Sequence, residues 1–182
     1  GHTKTDMDAV GSCLGVKAIC DHLHKDSVVV YDPKVAETKT RGAITTSFSR
    51  EDVSKIFVTP QESIALLRSN TLVILCDVHK PSMTLAPKLV QDATKVMVFD
   101  HHRRGEEFVD SPIFSHIDPS ASSASELVTE LIQYSSANPR IIIPSAFATI
   151  MLSGIFMDSN FFKAKTVGIR TFEASMILKE FG

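Results

Sequence analysis

The chain has 182 residues, 43% of them apolar, which is enough for one sizeable core and excludes a small scaffold that depends on staples. Nineteen Lys and Arg against 21 Asp and Glu give a formal charge of -2, which excludes a polycationic duplex binder and an acidic disordered tail. Trp is absent and aromatic content is 7%, which argues against a stacking platform for long single strands of nucleic acid, although 11 Phe leave local stacking open.

Cys13, Cys20 and Cys76 are odd in number, lack C-x-x-C spacing and lie in apolar, periodic contexts, so they read as core residues of a protein in a reducing, cytoplasmic compartment. The opening Gly1-His2-Thr3 has no charged segment followed by an apolar one, and no leader or anchor is expected. Ile141 to Met157 is the longest apolar stretch, but Pro144, Ser145, Thr149 and Ser153 interrupt it, and it falls short of the ~20 residues that span a bilayer. It reads as buried core.

In chain order, the spacing of Ala9, Cys13, Val16, Cys20 and Leu23 predicts a helix starting near Asp8. Ser27 to Tyr31 and Lys55 to Val58 are strand-like, Thr38 to Ser49 reads as loop, and Gln61 to Arg68 as a short helix. Thr71 to Cys76 is a continuous apolar run, as a parallel strand covered on both faces requires, and it stops at Asp77. Leu85 to Ala93 follows as a crossover helix. Lys95 to Phe99 is a second buried strand, stopping at Asp100-His101-His102. Ile113 to Ile117 reads as an outer strand, and Ser123 to Tyr134 as a helix with a Ser123-x-x-Glu126 capping box. Helices over Pro144 to Phe156 and Phe172 to Phe181 complete the chain. This alternation, with no linker or repeat, predicts an α/β fold: one mostly parallel sheet flanked by helices.

In open α/β sheets, ligands bind outside the carboxyl ends of the strands. Asp77 and Asp100-His101-His102 fall there. His2-x-x-x-Asp6-x-Asp8 precedes the first helix, where a strand upstream of His2 would end, and Asp158 terminates the apolar run from Ile150 to Met157. His2, Asp6, Asp8, Asp77, His101 and Asp158 therefore form the candidate metal-ligating set. Carboxylates gathered this way repel by about 4 kcal/mol per pair at 4 Å and an effective dielectric near 20. Two divalent cations balance four Asp. Oxygen and imidazole donors without thiolate favour Mn²⁺, Mg²⁺ or Fe²⁺ over structural zinc, with Mn²⁺ the expected ion. Such a pair lowers the pKa of a bridging water and clamps an in-line displacement at phosphorus, which points to hydrolysis of a phosphate ester or anhydride.

His102 is positioned to protonate the leaving oxygen or hold a phosphate oxygen, and Arg103 and Arg104 to offer forked donors to phosphate. Asp100 reads as the acceptor that orients a ligand imidazole. Helix capping is the competing explanation for Asp6 and Asp8. Ser122, Ser123 and Ser125 read as caps, with phosphate contact at that helix N-terminus as the alternative. His22, His24 and His116 lack acidic partners at useful spacing and read as surface or loop histidines.

The strings His2-x-x-x-Asp6-x-Asp8, Asp77-Val78-His79, Asp100-His101-His102 and Asp158 resemble the motifs of the DHH phosphoesterase superfamily. Within it, Asp77-Val78-His79-Lys80-Pro81, Asp100 to Glu106, Ala121 to Tyr134 and Ser153 to Phe172 resemble membrane-anchored cyclic-di-AMP phosphodiesterases of the GdpP type. The resemblance implies that one Mn²⁺ takes His2, Asp6 and Asp77, that the other takes Asp8, Asp77, His101 and Asp158, and that Asp77 bridges them. It implies hydrolysis of cyclic di-AMP to linear pApA. It also implies that residues 1–182 are an excised DHH catalytic subdomain, whose full protein adds upstream membrane and sensor regions and a following DHHA1 domain and admits a homodimer. Lys80 stands where Arg is common, and Ser159-Asn160 where Thr-Lys is common, which bears on substrate preference. The alternatives are a nanoRNase or pAp phosphatase with the same ligands, a pyrophosphatase or RecJ-like exonuclease disfavoured by the Asp100–Glu106 and Ser122–Leu127 strings, and a nucleotide-sensing module without catalysis.

Overall fold

The computed structural model describes all residues from Gly1 to Gly182. The chain runs α1 (Met7–His22), β1 (Val29–Val30), α2 (Thr38–Ser47), α3 (Arg50–Ile56), β2 (Phe57–Val58), α4 (Pro60–Leu66) and β3 (Val73–Cys76). It continues through α5 (Pro87–Asp92), β4 (Val96–Asp100), β5 (Phe114–Ile117), α6 (Ala124–Gln133), α7 (Ser145–Asp158) and α8 (Ile169–Phe181). All strand pairs are parallel. β1 pairs with β2, and β3, β4 and β5 form a three-stranded sheet in that order. The expected α/β class with parallel strands and flanking helices is found, as two small sheets.

The register positions the chemistry. Cys76 lies opposite Phe99, and the Asp77 N–H continues the ladder by donating to the Phe99 carbonyl at 2.9 Å. Asp77 and Asp100 therefore emerge level at one sheet edge. Gly1 to Thr3 pairs with the turn after β3: His2 bridges Thr84, the Thr3 N–H donates to Met83 O at 2.8 Å, and the Leu85 N–H donates to Gly1 O at 3.0 Å. His2 is thus brought to the same edge.

Two apolar clusters support this edge. The larger gathers Val10 and Leu14 of α1, Val128 and Ile132 of α6, Ile150, Met151 and Ile155 of α7, and Leu178 of α8. The smaller packs Val73 and Leu75 of β3 and Val96 and Val98 of β4 against Leu89 and Val90 of α5. α1 lies directly on α7, because Gly11 and Gly154 leave no side chain between them. A Cβ at Gly154 would fall 2.9 Å from Asp8 Cα, and one at Gly11 2.9 Å from Met151 Cα.

Four expectations need correction. Thr38–Ser47 is a helix, not a loop, because Ile44 and Thr40 are buried and packing outweighs a composition rich in Thr. Lys55–Ile56 ends α3, whose capping box is Ser49 with Asp52, and only Phe57–Val58 is strand. At α6, Ser123 Oγ accepts from the Glu126 N–H, but the Glu126 carboxylate turns to the Ser122 N–H and hydroxyl, so that capping box is half made. Of the cysteines, only Cys76 is fully buried; Cys13 and Cys20 are half-buried. His116 lies on β5 and is exposed, as are His24 and its neighbours after α1.

Candidate metal centre

Asp77 follows β3 with φ 60°, in the left-handed region where Asp is among the few tolerated side chains. Its two carboxylate oxygens face two different groups. Oδ2 lies 3.3 Å from His2 Nε2, which is itself 3.4 Å from Asp6 Oδ2. Oδ1 lies 3.3 Å from His101 Nε2, which is 3.0 Å from Asp158 Oδ2 and 4.0 Å from Asp8 Oδ2. His2, Asp6 and Asp77 form one donor group with ligand atoms within 4.8 Å of one another; Asp8, His101 and Asp158 form a second, and Asp77 and His101 also group with His102. All six sequence-predicted residues converge, with Asp77 between the two groups.

Helix ends hold the carboxylates. Asp6 is the N-cap of α1: its Oδ1 accepts from the Ala9 N–H at 3.0 Å, which leaves Oδ2 facing His2. Capping and site membership are therefore compatible. Asp8 is buried and accepts from Ala124 N–H at 2.6 Å and Ser125 N–H at 2.9 Å. The positive end of α6, read from sequence as a cap with phosphate contact as the alternative, is thus occupied by Asp8. Asp158 ends α7, where the helix dipole disfavours an anion, and it stays there facing His101.

Electrostatics reflect this crowding. Burial, then the neighbouring Asp77 and Asp158, push the Asp8 carboxyl well above the usual range. Burial also works against charge on Asp77, but His101 and His2 outweigh it and hold its pKa at about 2. Burial opposes protonation of both imidazoles, yet the flanking carboxylates win: Asp6 and Asp77 raise His2 to about 10, and Asp158, Asp77 and Asp8 raise His101 to about 11. Protons on the imidazoles hold the carboxylates together.

The donor set fits a cation better than it fits protons. Asp77 Oδ1 and His101 Nε2 are buried, lie 3.3 Å apart and have no well-directed hydrogen-bond partner. Buried polar atoms are rarely left so. Atoms that crowd around a common point with poorly directed hydrogen bonds suit an ion between them, and oxygen with imidazole and no thiolate suits Mn²⁺ or Mg²⁺.

His102 lies beside this cluster, largely exposed. Its Nδ1–H and backbone N–H both donate to Asp100 Oδ1, at 2.8 and 3.1 Å. Nδ1 is also 3.5 Å from Asp77 Oδ1, but the proton given to Asp100 removes it as a ligand atom and leaves Nε2 free. Asp100 orients His102 and His79 rather than His101, so the imidazoles it serves differ from the one expected from the sequence. The Arg104 guanidinium lies 4.2 Å over the Phe108 ring, and exposed Arg103 pairs with no carboxylate. Neither arginine belongs to the carboxylate–imidazole cluster.

Sequence reasoning missed four residues that support the site. His79 appeared only inside a motif string. The amides of Ala124 and Ser125 carry no side-chain signal. Arg170, at the start of α8, forks onto Glu130 of α6 at 2.6 and 2.7 Å and reaches Asp118 after β5 at 2.7 Å, tying three elements behind the site.

Residues 1–155 match the DHH family, N-terminal domain, and the chain belongs to that family. Its relatives include two cyclic-di-AMP phosphodiesterases: GdpP of Bacillus subtilis (strain 168), 36% identical, and PdeA of Listeria monocytogenes serotype 1/2a, 38% identical, each over 182 residues. All of this chain aligns with each of them but covers only 27% of either, so it spans about a quarter of their length. A probable manganese-dependent inorganic pyrophosphatase of Lactococcus lactis is 25% identical over 185 residues, covering 99% of this chain and 54% of that protein. Among solved structures, an exopolyphosphatase-related protein from Bacteroides fragilis covers the whole chain and 51% of its own, with TM-score 0.79 and 20% identity, a likeness of fold. No helix of the chain is long and apolar enough to cross a membrane.

Proposed function

We propose that this domain is the metal-binding half of a dinuclear phosphodiesterase that opens cyclic di-AMP to linear pApA. The observation that carries the reading is Asp77, whose two oxygens face two separate donor groups. In this reading His2, Asp6 and Asp77 hold one divalent ion, Asp8, Asp77, His101 and Asp158 hold the other, and Mn²⁺ is the ion preferred. Bound there, the ions would supply Lewis-acid stabilisation of phosphoryl oxygens and would ease deprotonation of an attacking water near neutral pH.

The chain's own groups do the rest. Asp8 keeps its place through the α6 amides, so it need not reorganise when charge develops nearby. His102 donates through Nδ1 to Asp100, and that hydrogen bond, against burial, raises its pKa. It can therefore hold a proton on Nε2 for the leaving ribose oxygen. Arg103 and Arg104 leave the same loop exposed, as reach toward a phosphate requires.

The greater likeness to cyclic-di-AMP phosphodiesterases than to the pyrophosphatase, 36% and 38% against 25%, favours the cyclic dinucleotide as substrate. The parent protein in this reading is a membrane-attached enzyme with this domain in the cytoplasm, followed by a DHHA1 domain that completes the nucleotide site. The test is product analysis by the full-length protein with Mn²⁺ on cyclic di-AMP, pApA and pAp. Conversion of cyclic di-AMP to pApA as the fastest reaction supports the proposal. Preference for pApA or pAp would reassign the protein as a nanoRNase or pAp phosphatase.

A further inference from the structure

His79 is among the largest fully enclosed side chains and is used by no step above. Its Nδ1 meets Asp100 Oδ2, while its Nε2 accepts the Gly105 N–H at 3.4 Å. An accepting Nε2 leaves the proton on Nδ1, so His79 donates to Asp100. Asp100 is fully buried and gives its other oxygen to the Nδ1–H and backbone N–H of His102. The same residue organises the following loop. The His79 carbonyl accepts from the Val109 N–H at 3.2 Å, and its ring lies 5.8 Å from that of Phe108, on which Arg104 stacks. Ser82 closes the far side with its N–H and hydroxyl on Glu107.

We propose that His79 is a positioning residue: through Asp100 it fixes the Nδ1–H form and ring orientation of His102, and through Gly105 and Phe108 it sets the course of the loop carrying Arg103 and Arg104. The assignment rests on the phosphodiesterase reading for its kinetic consequence but not for its geometry. A phenylalanine at this position keeps the ring and loses both hydrogen bonds. An asparagine keeps a donor where Nδ1 stands and loses the reach to Gly105.

The kinetic arm uses the full-length enzyme with Mn²⁺. His79→Phe lowers kcat for cyclic di-AMP by roughly 10- to 100-fold with unchanged metal content, the range seen when a group supporting a functional imidazole is removed. It adds little in a His102→Ala background, because the two residues act as one unit. His79→Asn retains most of kcat and raises KM through the loosened loop. An equal loss in the His102→Ala background, loss of metal from His79→Phe, or equal kcat for the two His79 variants overturns the proposal.

The second arm reads ¹⁵N-histidine spectra with Mg²⁺ bound, at a pH where His102 is neutral. The Nδ1–H form dominates in the wild type and in His79→Asn and gives way to a mixture in His79→Phe; an unchanged form in His79→Phe overturns the proposal. An enzyme that does not cleave cyclic di-AMP defeats the functional reading, and this spectrum then decides the role of His79 alone.

Discussion

In the proposed two-ion reading, His2 and His101 carry a charge that a metal ion would replace. With pKa values of about 10 and 11 they are imidazolium groups at neutral pH, whereas a ligand imidazole must be neutral. Ion binding therefore releases a proton from each, and apparent affinity rises with pH across the neutral range. Titration calorimetry in two buffers of different ionisation enthalpy reads the protons; an affinity indifferent to both pH and buffer would contradict this. The raised values also fix a sign for the metal-free fold. Its His–Asp pairs stabilise fully below the unfolded value of 6.5, and that contribution is lost as pH climbs through about 10. Asp77→Asn keeps the shape and the tolerance of a left-handed backbone but halves the acceptor capacity. It is expected to abolish Mn²⁺-dependent turnover and to lower bound metal measured by mass spectrometry; two tightly held ions in an active variant would exclude Asp77 as the bridge. His102→Ala is expected to keep both ions and to lose roughly 10²- to 10⁴-fold in kcat.

At the scale of elements, the site depends on how closely helices approach. Gly154 lets α7 pass the first turn of α1, and a Cβ there would meet Asp8 backbone and carboxylate at 2.9 and 3.1 Å. Overpacking at such a crossing costs roughly 1–3 kcal/mol, so Gly154→Ala should lower the urea midpoint and weaken metal binding together. A variant as stable as wild type with normal metal content would show that α1 and α7 part freely. Arg170 links α8, α6 and the β5–α6 loop, but its side chain is 43% exposed. Solvent screening limits its worth to about 1 kcal/mol, less in high salt, and Arg170→Ala tested by denaturation at two salt concentrations should show both features. The long apolar elements α1, α6, α7, β3 and β4 were legible in the sequence because each carries a strong pattern or run. α2 was not: its Thr-rich segment is held helical by the burial of Ile44, a contact supplied by distant parts of the chain.

For the whole molecule, the proposed metal centre joins segments far apart in sequence, from His2 to Asp158, so a bound ion would fasten α1 and α7 to the sheet edge. For each ion held, free Mn²⁺ at a hundred times its Kd should add about 2.7 kcal/mol, which in a domain of this size raises Tm by roughly 5–10 °C. Calorimetry with and without the ion checks this, and Asp77→Asn should remove most of the shift.

Asp77, His101 and Asp158 were readable as ligand candidates because polar residues that abruptly end apolar strands and helices lie at the carboxyl edge of a parallel fold, and His2, Asp6 and Asp8 because they precede the first helix, where an upstream strand would end. The particular partners were not. That α6 caps Asp8, that Asp100 serves His102 and His79 instead of His101, and that Asp77 turns one oxygen to each donor group all follow from register, a left-handed backbone and helix approach. Sequence fixes which groups can bear charge and which segments seek burial; only folding decides the directions in which those groups point, because direction is set by backbones that are distant along the chain and adjacent in space.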